Sequence, residues 1–313
     1  MNKSILLTVL ATAAVSMSLA QAQEEQVSHD NRLGRAVPAT AIINRDVVTQ
    51  GGKEVGKIDD AIFDMESGRL LYVALDLKGA GVNDTVAVPP ALFTYGLGRA
   101  AMLEKQNKEK DAKGISAKGN RHPFVIRTTE EALKGAPKYA KTGEERAQGA
   151  YVDKVYAHFN QPRWWQGAGD SAAGKFNHIR RATQVKTFTV QNVSNEKLGQ
   201  VETVLFDLPS GRVSFVVLDP ANRIAGKQML IPVPPMAFTS GEQKSTVLTL
   251  DADKDKLNNA PSINRDELNA DDIQRLSTPA FATQVYQYYG KQPWFQNENI
   301  PTPTGPDRQQ KNQ

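Results

Sequence analysis

Val55-Gly56-Lys57-Ile58-Asp59-Asp60-Ala61-Ile62-Phe63-Asp64, closed by Ser67-Gly68-Arg69, returns later in the chain as Leu198-Gly199-Gln200-Val201-Glu202-Thr203-Val204-Leu205-Phe206-Asp207, closed by Ser210-Gly211-Arg212. The copies hold one register, Gly56 to Gly199 and Phe63 to Phe206, without a gap as far as Asp76 and Asp219. Internal repetition fixes the unit of folding before any other signal is weighed. It predicts two domains of one small β type. What recurs is turn residues and core positions, so the repeat argues for a binding or structural scaffold ahead of a catalyst.

Working outward from the first copy, Ala41 to Thr49 is a strand candidate, Gln50-Gly51-Gly52-Lys53 a turn, Glu54 to Asp64 a second strand and Arg69 to Leu77 a third. Along the third, Leu71, Val73, Leu75 and Leu77 alternate with Leu70, Tyr72 and Ala74, so both faces are apolar and the strand is either buried on both sides or lines a small closed barrel. A fourth strand runs to Val88 and stops at Pro89-Pro90, because proline cannot donate to a ladder. Pro123 to Arg127 supplies a fifth, and Thr128 with Glu131 has capping-box spacing for a short helix. The second copy repeats this order: Val185 to Val193, Lys197 to Asp207, Arg212 to Asp219, Met229 to Val233 before Pro234-Pro235, then Thr246 to Leu250. An aromatic appendix follows each domain. The first carries Val155-Tyr156 with Trp164 and Trp165, the second Val285-Tyr286 with Trp294 and Phe295.

The motif x-Gly-x-[Ile/Val], then Phe-Asp, a Ser-Gly-Arg turn, an aliphatic strand ending in Asp and a Val-Pro-Pro stop resembles the PRC-barrel family, named for the soluble domain of the photosynthetic reaction-centre H subunit. That resemblance implies a mainly β protein, two small PRC-type β-barrels in tandem, each followed by a short helical appendix. It implies protein contacts and offers no catalytic residue to carry over. Gly56, Asp60, Phe63, Asp64, Gly68 and Arg69, with Gly199, Phe206, Asp207, Gly211 and Arg212, transfer as a fold signature. Thr203 stands where the first copy has Asp60, so no role needing that carboxylate is common to both. The glycines suit a bulge, the phenylalanines core anchors, and Arg69 and Arg212 are expected to pair with Asp64 and Asp207 across their hairpins.

The expected order is a signal peptide at 1–22, a flexible lead at 23–40, the first domain at 41–140, its appendix at 141–165, a Gly- and Ala-rich basic linker at 166–183, the second domain at 184–262, its appendix at 263–297 and a disordered tail at 298–313. The leader reading rests on Lys3, the apolar run Ile5 to Leu19 and the small-x-small site Ala20-Gln21-Ala22. It places the mature protein in the periplasm or outside the cell. A chain of 313 residues with no cysteine has no disulfide and no thiolate chemistry, and a formal charge of +4 is too weakly organised for a nucleic-acid tract.

Site readings are correspondingly sparse. Asp59, Asp60 and Asp64 alternate along a strand without a Gly-centred acidic loop, which argues against a metal. His29, His122, His158 and His178 have no ligand-like spacing. Gly96-Leu97-Gly98-Arg99-Ala100-Ala101 mimics a dinucleotide fingerprint but follows a Pro-Pro stop where a parallel strand is required. No catalytic residue, cofactor or metal is therefore assigned. Trp164, Trp165, Trp294 and Phe295 are the candidate interaction residues, and the alternative is that each appendix folds back to plug its own domain. The partner expected is an unidentified envelope protein, with weak contact to an anionic surface through the Lys-rich insertion Glu104 to Arg121. A periplasmic small-ligand carrier using the inter-domain cleft is the alternative function.

Overall fold

A computed structural model describes residues 33–95, 123–139, 149–165, 176, 178–221, 229–240, 245–270 and 273–297. The first half contains β1 (Val37–Pro38), α1 (Ala39–Ile42), β2 (Asp46–Thr49), β3 (Glu54–Asp64), β4 (Arg69–Asp76), β5 (Thr85–Val88), β6 (Phe93–Tyr95), β7 (Phe124–Ile126), α2 (Glu130–Lys134) and α3 (Gly149–His158). The second contains β8 (Ile179–Arg181), α4 (Ala182–Val185), β9 (Thr189–Gln191), β10 (Lys197–Asp207), β11 (Arg212–Pro220), β12 (Met229–Val233), β13 (Phe238–Ser240), β14 (Val247–Leu250), α5 (Lys254–Asn258), β15 (Ile263–Asn264), α6 (Pro279–Tyr288) and α7 (Trp294–Asn297).

The fold is mainly β, as the repeat implies, and the described strands form one large curled sheet. Its main path runs β13-β14-β9-β10-β11-β4-β3-β2-β7-β6, a palindrome centred on the β11–β4 contact. The halves are thus related by a pseudo-two-fold axis through that contact. Pairing across it is confined to Arg212 opposite Arg69, with Leu70 N donating to Gly211 O at 2.9 Å and Val213 N to Gly68 O at 3.0 Å. The axis exchanges those two bonds.

Two short strands tie the halves together reciprocally. β1, which precedes the first domain, pairs with β10 of the second (Val37 opposite Phe206, Pro38 opposite Leu205). β8, which precedes the second, pairs with β3 of the first (Phe63 opposite Arg180, Ile62 opposite Arg181). These residues fall in the stretches read above as a flexible lead and a linker. That reading is corrected from residue 33 and from residue 178 onward, because each stretch ends by covering the other half's strand edge. Ala41 likewise begins in α1 rather than a strand, and the cap of α2 is Thr129, whose hydroxyl accepts from Ala132 N at 3.2 Å, rather than Thr128.

One apolar core spans both halves and includes the edge-to-face pair Phe63–Phe206, with ring centroids 5.6 Å apart. A second cluster lies on the outer face of the first half, where α3 covers Ile62, Tyr72 and Ala74. Strict alternation along β4 fails at Leu71. A bulge pairs Ile62 with Tyr72 and Phe63 with Leu70, so Leu71 is the extra residue and joins the outer cluster while Leu70 joins the main core. Ser214 is extra at the matching place in β11, and the buried Tyr286 hydroxyl donates to its carbonyl at 3.0 Å.

Candidate functional site

The two Ser-Gly-Arg turns lie back to back at the pseudo-two-fold axis. Gly68 and Gly211 take φ of +63° and +65°, the left-handed conformation expected of these turns. Each packs beneath the Pro-Pro stop of the opposite half: a Cβ on Gly68 would stand 3.0 Å from the Pro235 ring, and one on Gly211 3.1 Å from Pro90. Directly opposed residues of an antiparallel pair point to the same face. The following arginines, Arg69 and Arg212, therefore emerge side by side from one side of the sheet.

Each guanidinium is capped by its own appendix. Arg69 lies over the Trp164 ring at 4.4 Å and Arg212 over Trp294 at 4.9 Å, and Arg212 Nη1 also donates to Ser67 O at 3.4 Å. Burial pulls both arginines below their ordinary range, and the neighbouring charge of Arg69 lowers Arg212 further. The appendix tyrosines Tyr156 and Tyr286 are wholly buried beside them, which raises their phenols well above the usual value.

The signature carboxylates reach the backbone of their own turn and of the opposite half. Asp64 accepts from Ser67 N at 2.8 Å and His178 N at 3.2 Å. Asp207 accepts from Arg35 N at 3.2 Å and from the Tyr95 hydroxyl at 2.8 Å. Burial raises Asp207, with the hydroxyl bonds of Ser210 and Tyr95 acting against it. Asp60 is fully buried and tied to the segment that enters the second half, by Arg181 Nε at 2.6 Å and Thr183 Oγ1 at 2.7 Å. In the second half, where Thr203 replaces Asp60, Pro38 takes the ladder position opposite Leu205 that Arg181 takes opposite Ile62, so a carboxylate there would lack that cation.

Of the candidate interaction residues, Trp165, Trp294 and Phe295 are buried at 7%, 5% and 4% exposure, and only Trp164 retains an accessible face. The appendices fold back onto their own halves. Trp165 packs on Tyr156 and Phe176, and Phe295 on Tyr286. Gly56 and Gly199 sit beside one-residue register shifts and let the next strand approach closely, since a Cβ there would lie 1.7 Å from Asp76 O or 2.2 Å from Asp219 O. His158 bonds to Ala132 O at 2.8 Å and His178 lies 3.3 Å from Glu66, each a local contact. His29, His122, the Gly96–Ala101 stretch and the Glu104–Arg121 insertion lie outside the described residues.

The domain model for the PRC-barrel matches residues 35–110 and 178–257, one match over each half. The chain belongs to the PRC-barrel family. Comparison with curated proteins returns no match. The PRC-barrel match begins at Arg35 and His178, the residues whose backbone N–H groups bind Asp207 and Asp64. Each match starts six residues before the domain starts expected at 41 and 184. A signal for the earlier start lies in Ala39-Thr40-Ala41-Ile42 and Ala182-Thr183-Gln184-Val185, which keep the register of the repeat.

Beside Trp164 the two PRC-barrel halves form a partly open pocket of about 40 Å³. Arg69, Tyr156, Gln161 and Trp164 line it from the first half, Ser210 and Gly211 from the second, and the rest of the wall is largely proline. Gln161 Oε1 is itself closed to solvent and has no hydrogen-bond partner among the described residues.

Proposed function

We propose that this tandem PRC-barrel protein is an exported, non-catalytic binding and scaffold module of the cell envelope. The observation that supports it best is how the signature residues are used: Gly68, Arg69, Asp64 and their counterparts hold the halves together. None forms a nucleophile–base pair. Export follows from the leader pattern at residues 1–22. Osmotic-shock fractionation with N-terminal sequencing tests it, the expected result being a soluble envelope protein that begins at Gln23; a cytoplasmic chain starting at Met1 would refute export. Crosslinking from the native envelope tests the scaffold role. A specific partner should be captured by the native protein and lost with Trp164→Ala of verified fold.

A second reading, small-ligand carriage, draws support from the cavity itself. It lies where the two halves meet and is lined by the appendix aromatics Tyr156 and Trp164.

A further inference from the structure

The seam between the halves is nearly symmetric, and its central contacts do not tell one half from the other. Phe63 meets Phe206, Arg69 stands opposite Arg212, and Gly68 and Gly211 each pack under a proline of the opposite half. Two first halves, one from each of two chains, would set phenylalanine on phenylalanine, arginine opposite arginine and Gly68 under Pro90. Asp64 does not discriminate either. It accepts from the backbone N–H of His178, and Arg35 offers the same group from the same place in the repeat.

Two buried carboxylates do distinguish the halves. Asp60, fully buried, takes Arg181 Nε at 2.6 Å and Thr183 Oγ1 at 2.7 Å from the segment that leads into the second half. In a pair of first halves the repeat puts Thr40 in place of Thr183 but Pro38 in place of Arg181. The hydroxyl is kept and the cation is lost, which leaves a buried charge uncompensated. Asp207, 4% exposed, makes the converse contact: it accepts from the Tyr95 hydroxyl of the first half at 2.8 Å, and that oxygen accepts from Leu208 N at 3.3 Å. Ser240 holds the position in β13 that Tyr95 holds in β6. A pair of second halves would therefore bring no phenol to Asp207 or to the Leu208 N–H.

We propose that the seam is a pairing surface for the opposite half, whether of its own chain or of a second copy, and that Asp60–Arg181 and Tyr95–Asp207 make it refuse a like half. Specificity comes from what a like pair would lack. Each contact bars one kind of like pair. Because every chain supplies the halves one to one, a like pair of either kind also strands its complement, so the two contacts reinforce each other.

The test uses the full-length mature protein with a protease site within residues 166–175, in two versions that differ in the tag at the N-terminus. Both are cleaved after folding, mixed, unfolded in urea and refolded together, so that the halves choose partners untethered. First halves bearing one tag are captured, and mass spectrometry reads what accompanies them. Second halves should be recovered, and first halves of the other tag about tenfold less or lower, as loss of one bond to a buried charge gives. The fourfold variant Asp60→Thr/Arg181→Met/Tyr95→Phe/Asp207→Asn should bring like-half recovery to within a few-fold of unlike. Each double variant, Asp60→Thr/Arg181→Met or Tyr95→Phe/Asp207→Asn, should raise it part of the way. Native first halves that recover each other as readily as second halves overturn the proposal, as does native protein whose pieces fail to pair again. No rise in the fourfold variant, its fold verified by circular dichroism, places the discrimination elsewhere in the seam and overturns it too. Should that variant not fold, the double variants decide, and like-half recovery at the native level in both has the same meaning.

Discussion

Gly68 and Gly56 carry different constraints, and their alanine variants should separate them. At Gly68 the obstacle is a left-handed backbone plus a tight approach to Pro235, so Gly68→Ala should cost about 1–2 kcal/mol. At Gly56 a Cβ would overlap the Asp76 carbonyl, and β3 and β4 must part to admit it. Gly56→Ala should therefore cost about 3 kcal/mol or more, the larger loss in urea unfolding. Asp207 yields a prediction in pH. Its burial raises the folded pKa above the unfolded value of about 3.9. The stability it contributes is complete below that value and is lost as pH rises through the folded pKa. Asp207→Asn should remove this component, so the native-minus-variant difference in unfolding free energy should fall between pH 4 and neutrality. At this scale the sequence was readable wherever chemistry was local: the turn glycines follow from Ser-Gly alone. The Tyr95–Asp207 bond was hidden because its partners are 112 residues apart and no motif joins them.

Among elements, the long strands were legible and the short ones were not. β3, β4, β10 and β11 each carry eight or more residues and bring their own apolar pattern. β1 and β8 have two and three residues, and their only reason to be strands is the edge each meets in the other half. The basic pair Arg180-Arg181 read as linker composition, although Arg181 is the counter-charge that makes a buried Asp60 tolerable. The appendices were legible as aromatic helices, and their burial follows from β4 being apolar on both faces. Removing one member of a buried ion pair leaves the other uncompensated, so Arg181→Met should cost about 3–5 kcal/mol. Converting Asp60 to threonine, as the second half has at Thr203, should return much of that loss in the double variant Asp60→Thr/Arg181→Met. A double-mutant cycle by chemical denaturation reads the coupling directly. Additive losses would mean that Asp60 is held by Thr183 and the Ala61 N–H alone.

For the whole molecule, the palindromic sheet makes the tandem behave as a dimer whose subunits share one chain. The halves exchange β1 and β8, share one apolar core, and set Phe63 against Phe206 and Tyr95 against Asp207 across the axis. None of these contacts depends on chain continuity between Trp165 and Phe176. A protease site placed within residues 166–175, cleaved after folding, should leave the two pieces co-eluting as one species of unchanged size. It should also leave a single unfolding transition, now dependent on protein concentration because unfolding has become a dissociation. Two independent transitions, or separation of the pieces on dilution, would show that the seam is a contact between self-sufficient domains. The reciprocal strands argue for the first outcome. Without its partner, each half would expose the edge of β3 or β10 together with the central phenylalanine, and an uncovered strand edge of that kind invites pairing with whatever chain it meets next.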